Sequence, residues 1–301
     1  MPTASLDSSP TLAQALAGRR VGLVLCARFF GFYGHLGLLR ALDDAGLRPA
    51  AYSGTSAGAL VAAFAGSGLT TDRVAAAILP VRLADFWDPA GPLSWLAAGL
   101  PAPGLIRGER FHDRLRRALP VRRFEECAAP VYMEAVDLRS GQLEVLHDGE
   151  LSRAVWASCA YPGMFQPVRL GEGVYWDGGL VNKAPIACLA ERRDLDALLV
   201  HWLPSSSLGR DLPSSSSALG LLRCLTRGVA VGRREVARQQ ARAATAGGLP
   251  VYVIASDVPG SGPHRMHLGP RVVEASRRAA AAALAGPASA ALLDAHADKL
   301  R

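Results

Sequence analysis

The feature that most constrains the fold is Gly54-Thr55-Ser56-Ala57-Gly58, with Ala50-Ala51-Tyr52-Ser53 just ahead of it. G-x-S-x-G has the form of a nucleophile elbow, where a strand turns sharply into a helix and lifts a serine oxygen out of the sheet edge. Gly54 and Gly58 leave room, because a β-carbon at either place would press on the strand or the helix. The serine of such a turn stands at a helix N-terminus, whose partial positive charge favours a developing alkoxide or oxyanion. The implied reaction class is acyl transfer through a covalent serine ester. A serine hydroxyl in that role needs a base.

The surrounding chain reads as alternating strands and helices. Arg20 to Cys26 (RVGLVLC) is a short apolar run, expected as a buried strand. After a turn near Gly31, Leu36, Leu38, Leu39 and Leu42 form a helical stripe that ends at Gly46, a suitable C-cap. The strand at 50–53, the elbow and a helix of small residues from Ala57 to Phe64 follow. Strand, helix, strand, helix is the pattern of a parallel sheet with covered faces. Further strands are expected at 130–137, 142–147, 173–176, 195–203 and 250–254, and helices at 218–245, 271–285 and 288–299. Residues 1–19 read as a flexible leader and 20–301 as one domain, a length with ample material for a core. Within it, the Pro-punctuated stretch 80–106 around Phe86, Trp87 and Trp95 is a candidate cap, and the Ser/Gly/Pro-rich 205–217 a flexible loop.

A carboxylate for Ser56 lies far downstream. In Tyr175-Trp176-Asp177-Gly178-Gly179-Leu180, apolar residues lead into an aspartate backed by two glycines. A strand end would deliver a carboxylate into a cleft this way, although an Asp-Gly turn between strands looks the same locally. The wider context separates the two readings. Trp156-Ala157-Ser158-Cys159-Ala160-Tyr161-Pro162-Gly163-Met164-Phe165-Gln166-Pro167-Val168 precedes Asp177-Gly178-Gly179, and Asn182 and Pro185-Ile186 follow. This succession resembles the patatin-like phospholipase family. There a glycine-rich oxyanion segment, G-x-S-x-G, A-S-x-A-x-P-x-x-F-x-P-V and D-G-G with a following asparagine and Pro-Ile occur in that order. The resemblance runs from about Val21 to Ile186, and F-F-G-F-Y-x-H-x-G at 29–37 is similar to a bacterial branch.

The resemblance implies an α/β fold, a patatin-like three-layer sandwich with a mostly parallel central sheet and helices on both faces. It implies a Ser-Asp dyad, with Ser56 as nucleophile, Asp177 as base, and Gly54, Gly58, Gly178 and Gly179 as supporting motif. It implies a lipid acyl-ester substrate, phospholipase A or lysophospholipase chemistry, no cofactor and no metal. His35 falls at the position of a family histidine and reads as structural. A free aspartate has a pKa of about 3.9, so such a dyad needs a firmly held oxyanion and little water.

One segment departs from the family pattern. Against G-G-G-x-R/K-G, anchored on Gly31 and His35, the three glycines fall on Cys26, Ala27 and Arg28, and Phe30 replaces the basic residue. Oxyanion donors are then expected from Ala27, Arg28 and Gly31. Glycine serves where backbone must approach a ligand closely, and losing one donor costs about 10²–10³ in rate. Two other readings therefore stand beside the hydrolase. One is a catalytically weakened lipid- or acyl-binding member. The other is a Ser-His-Asp esterase on non-lipid esters, for which His201, His264, His267 and His296 all follow Asp177.

Net charge is +7, and 31 of the 33 basic residues are arginine. With so much alanine this reads as base-composition bias, and no aromatic-interleaved basic motif points to nucleic acid. In the helix over 218–245, Arg223, Arg227, Arg234, Arg238 and Arg242 share one face, with apolar contacts expected from Leu221, Leu222, Leu225, Val229 and Val236. Such a face leaves contact with an anionic membrane surface open. No run of about 18 apolar residues exists, and the first 20 residues lack a secretory signal. Five scattered cysteines suit neither a disulfide framework nor a zinc site. No acidic cluster suggests calcium. The expected location is cytoplasmic, with peripheral contact at the inner face of a membrane.

Overall fold

The computed structural model describes residues 9–89, 104–204 and 218–288, without the side chains of 218–223. The expected loop at 205–217, the centre of the candidate cap and nearly all of the expected helix at 288–299 lie outside the described residues.

Three strands, β1 (Val21–Leu25), β2 (Ala51–Thr55) and β9 (Ala197–Trp202), have every residue buried. Parallel strands covered by helices on both faces have no solvent side, so they read as unbroken runs of apolar and small residues. β1 lies between β2 and β9, and β10 (Val251–Ala255) extends the sheet beyond β9, all in parallel. On the other side β2 pairs in parallel with β4 (Val131–Asp137). Three pairings are antiparallel: β5 (Gln142–Leu146) on β4, β8 (Gly173–Asp177) on β4, and β7 (Val168–Leu170) on β8. The order is β10-β9-β1-β2-β4-β8-β7, with β5 off this path. A separate parallel pair joins β3 (Gly104–Ile106) to β6 (Gly163–Phe165).

The register on β4 determines what meets what. Val131 to Glu134 face β2, Ala135 to Asp137 face β8, and Met133 to Asp137 face β5. Met133 and Glu134 pair with both β2 and β5, so those two strands occupy opposite edges. Ala135 to Asp137 pair with both β5 and β8, so β8 shares the β2 edge. The two therefore lie end to end on one edge of β4. Thr55 closes β2 opposite Glu134, and Asp177 closes β8 opposite Ala135. Two segments more than a hundred residues apart finish on adjacent residues of one strand.

The helices approach closely wherever β-carbons are missing. α2 (Phe32–Asp44) packs on α9 (Gly269–Ala285) at Gly37, where a β-carbon would strike the Val273 carbonyl. Ser276 Oγ donates to Gly34 O there at 2.7 Å. α3 (Ala57–Gly66) lies against β1 so tightly that a β-carbon on Gly58 would strike the Leu25 carbonyl.

Two sequence expectations need correction. The leader is not loose from residue 10 onward. Thr11 and Gln14 form a capping box on α1 (Leu12–Leu16), and Leu12 and Leu16 are buried. Leu12 N–H donates to Gly286 O and Ala288 N–H to Pro10 O, so this segment seals the end of α9. Beyond a short helix α7 (Ala187–Ala190), the long helix α8 (Ala218–Ala246) exists, but Leu225 and Val229 do not supply its core contacts; they are 59% and 43% exposed. The buried stripe is Ala230, Ala237, Ala241 and Ala244. Small side chains let a helix axis come close, and the larger apolar residues are left outside. On the basic face Arg238 pairs with Glu235, and Arg242 is exposed.

Gly58→Ala is expected to destabilise the fold by about 1–3 kcal/mol despite alanine's better helix propensity, because the added methyl meets β1 backbone. A urea midpoint that falls with unchanged slope would show this.

Candidate active site

Ser56 sits between β2 and α3 with φ 57° and ψ −122°. A side chain rarely adopts this backbone region, and holding one there costs on the order of 1–3 kcal/mol. The strain is held from α6 (Leu151–Cys159). Ser56 N–H donates to Ser158 Oγ at 3.0 Å, and that hydroxyl donates to Glu134 O at 2.7 Å. The Cys159 thiol lies 3.1 Å from Ser56 O. Ser158 and Cys159 belong to the A-S-x-A stretch, so part of that motif braces the elbow.

Asp177 ends β8 and is 2% exposed. Its N–H donates to Ala160 O at 3.0 Å, and its Oδ1 accepts from Gly179 N–H at 2.7 Å. The Ser56 hydroxyl stands near enough to this carboxyl to lower its pKa, and both residues face one cavity. Burial pushes the Asp177 pKa up to about 6, against the opposing pull of the nearby Ser56 hydroxyl, the Gly179 hydrogen bond and the Arg233 charge. Gly178 and Gly179 make the close fit possible: a β-carbon on Gly178 would strike Glu134 O, and one on Gly179 would lie 2.8 Å from Ala27 Cβ. Asn182 Nδ2 donates to Glu134 Oε1 at 3.1 Å, and Ser53 Oγ to Pro185 O at 2.9 Å, so the residues after D-G-G tie that turn to the back of the elbow.

Ser56 and Asp177 line one cavity of about 470 Å³. Its walls are mostly apolar. Leu60 and Phe64 come from α3, Ile78 from α4 (Thr71–Ile78), Phe111 and Leu115 from α5 (Glu109–Ala118), and Phe165 from β6. From the candidate cap, Phe86 is buried and lines this cavity, whereas Trp87 is exposed. Asp88 accepts from Gly108 N–H and Arg110 N–H at 3.0 and 3.2 Å, fixing that stretch to the start of α5. Sequence reasoning missed Arg233. It reaches from α8, donates from Nη1 to Gly179 O at 2.9 Å and lines the cavity. It lies outside the arginine stripe read from the sequence, and no local pattern marks it.

The segment from Cys26 to Gly31 is only partly as expected. Ala27 N–H donates to Lys183 O at 2.6 Å and Gly31 N–H to Arg28 O at 2.9 Å. Neither is a free oxyanion donor, which corrects two of the three expected positions. The N–H groups of Arg28 and Phe29 have no partner among the described residues, and both residues line the cavity. The segment keeps its sharp course without the three glycines by placing Phe30 at φ 53°. Gly31 is required there, since a β-carbon would lie 2.8 Å from Arg28 Cβ.

Among the described residues no histidine lines the cavity. His201 is buried with both ring nitrogens engaged, by His35 and Ser256. His264 and His267 lie in a 3₁₀ segment, Pro263–Leu268, and His296 lies outside the described residues. No described helix is long and apolar enough to cross a membrane.

A mostly parallel sheet wrapped in helices, with a strained serine and a buried aspartate on one cavity at its strand ends, marks out an α/β fold. The sequence profile of the patatin-like phospholipase family matches residues 23–189, and the chain belongs to that family. NTE family proteins of Mycobacterium tuberculosis and Mycobacterium bovis are 30% identical to it over 230 residues, 75% of this chain and 38% of theirs. The chain thus spans well under half the length of these relatives. The protein named lysophospholipase NTE1 of Yarrowia lipolytica is 24% identical over 194 residues, covering 62% of this chain and 13% of that protein. VipD from Legionella pneumophila aligns in space with a TM-score of 0.47 at 15% identity, over 94% of this chain and 72% of VipD.

Two stability predictions follow from the geometry. Ser56→Gly, which relieves the backbone strain, is expected to raise unfolding stability by about 1 kcal/mol. The folded pKa of Asp177 lies above its unfolded value, so its stabilising share is full below about pH 4 and is lost as pH rises through about 6. Asp177→Asn should therefore melt above wild type at about pH 7.5, and the gap should close by about pH 4 in a thermal scan.

Proposed function

We propose that the chain is a serine acyl-ester hydrolase acting on lipids, of phospholipase A or lysophospholipase type. The observation that carries this reading is that Ser56 and Asp177 line one largely apolar cavity, with the serine hydroxyl near enough to the carboxyl to act on its pKa. The name of the Yarrowia relative gives it support. Asp177 accepts the hydroxyl proton as Ser56 Oγ attacks the acyl carbon. The oxyanion is met by the N–H groups of Arg28 and Phe29 and by the first turn of α3, whose N–H groups have no helical partners. Collapse expels the alcohol, which takes the proton from Asp177, and leaves an acyl-Ser56 ester. Water then gives a proton to Asp177 as its oxygen attacks the ester carbon, and collapse breaks the bond to Ser56 Oγ, which takes that proton back from Asp177 as the fatty acid leaves. The raised pKa of Asp177 makes it a stronger base than a solvated aspartate, and apolar walls receive the acyl chain. Exposed Leu225 and Val231 on α8, with Val229 on the cavity lining, support peripheral contact with a lipid surface.

On lysophospholipid and nitrophenyl esters, Ser56→Ala is expected to lower kcat by on the order of 10⁴-fold or more, and Asp177→Asn to be comparably damaging. Turnover unchanged in either variant would remove the mechanism. The kcat/KM of wild type should rise with pH through about 6, as the Asp177 carboxyl ionises. Ala118→Trp, which fills the cavity between α4 and α5, should depress long-chain ester turnover far more than short-chain.

The second reading, a lipid binder with little turnover, draws its support from the engaged N–H groups of Ala27 and Gly31. A fluorophosphonate probe separates the two, because a hydrolase labels at Ser56 and such a binder does not.

A further inference from the structure

Behind the loop with the free N–H groups, a run of hydrogen bonds links four residues drawn from three separate parts of the sequence. Ser256 Oγ lies 3.0 Å from His201 Nε2, His201 Nδ1 lies 2.8 Å from His35 Nδ1, and His35 Nε2 lies 2.8 Å from Cys26 O. All four residues are fully buried. Their proton positions follow from chemistry. A carbonyl oxygen only accepts, so His35 carries a proton on Nε2 and donates it. Burial pulls the His35 pKa down to about 4, with the Arg28 and Lys183 charges pushing the same way and the Cys26 hydrogen bond opposing. His201 is lowered as well, by burial first and then by His35 and Arg28. Both rings are therefore neutral at ordinary pH. His35 Nδ1 is then a lone pair, His201 Nδ1–H donates to it, and His201 Nε2 accepts from the Ser256 hydroxyl. Every proton points toward Cys26.

The relay ends on the Cys26–Ala27 peptide. His35 holds the carbonyl of that peptide, and Lys183 O takes its N–H at 2.6 Å. The clamp has its own supports. Lys183 Nζ donates to Leu203 O at 2.6 Å, and Leu203 N–H donates to Cys26 Sγ at 3.1 Å. The next N–H along the chain is that of Arg28, the first of those without a partner among the described residues.

We infer that His35 and His201 are positioning residues, which fix the Cys26–Ala27 peptide so that the Arg28 and Phe29 N–H groups meet the anion formed at Ser56. Its catalytic consequence rests on the hydrolase reading, whereas its structural part does not. The relay supplies from side chains in α2, β9 and the segment after β10 the rigidity that a loop bearing Cys26, Ala27 and Arg28 must have to present two donors.

The test compares His35→Leu with His35→Gln, whose side-chain amide can still donate to Cys26 O. Imidazole ¹⁵N shifts of wild type should show His35 as the Nε2–H tautomer and His201 as Nδ1–H. His35→Leu should displace the Arg28 and Phe29 amide resonances. It should also lower kcat on nitrophenyl butyrate about 10²-fold, with KM moving less than about threefold. His35→Gln should restore both readouts most of the way. An Nδ1–H tautomer at His35, unmoved resonances in folded His35→Leu, or equal damage in both variants would overturn the inference. If His35→Leu does not fold, Ser256→Ala removes one hydroxyl and carries the same resonance readout, where unmoved signals again overturn it. If wild type turns over no ester, the hydrolase reading falls, and the Arg28 and Phe29 resonances still decide the positioning role.

Discussion

One edge of β4 carries two strands in succession, and the site depends on that sharing. β2 runs parallel to β4 and stops at Thr55; β8 runs antiparallel to it and stops at Asp177. Their ends face each other because Glu134 and Ala135 are neighbours. Side chains alternate across a strand, so a one-residue slip of either partner would turn its terminal side chain to the other face. The backbone ladder of β4 therefore sets the Ser56–Asp177 relationship, and Ser158 and Gly179 refine it.

Keeping two carboxyls in that dry interior has a cost. Asp177 and Glu134 are both nearly inaccessible, and burial raises their pKa values to about 6 and about 7. Each accepts from the D-G-G segment: Asp177 from Gly179 N–H, and Glu134 from Asn182 Nδ2. The asparagine after D-G-G thus serves the carboxyl behind the elbow while its Oδ1 accepts from Ala184 N–H. Stability at neutral pH is given up so that a carboxylate stands where water is scarce, and a buried group whose charged form is penalised gains basicity.

The features legible in the sequence were those written in adjacent residues. The elbow and D-G-G announce themselves because close backbone approach forces glycine at fixed offsets. Fully buried β1, β2 and β9 stand out as apolar runs, and both α2 and α9 lie close to the spans read for them. β3, β6 and β7 have three residues each, too few to display a period. α5 hides in a charged stretch because only Leu115 is fully buried. On α8 the large apolar residues read as the buried side in sequence, whereas close packing selects alanine. Arg233 and the His35–His201 contact were invisible for a deeper reason. Each joins residues whose proximity exists only after the sheet is ordered β9-β1-β2-β4, which no local window encodes.

The seal between the segment before α1 and the end of α9 has an architectural consequence. Thr11 pairs with Pro287, and Pro10 and Leu12 exchange backbone hydrogen bonds with residues 286–288. The two ends of the described residues thus lie side by side. A unit with adjoining ends can be joined head to tail and reopened elsewhere, or spliced into the loop of a host protein, without pulling its sheet apart.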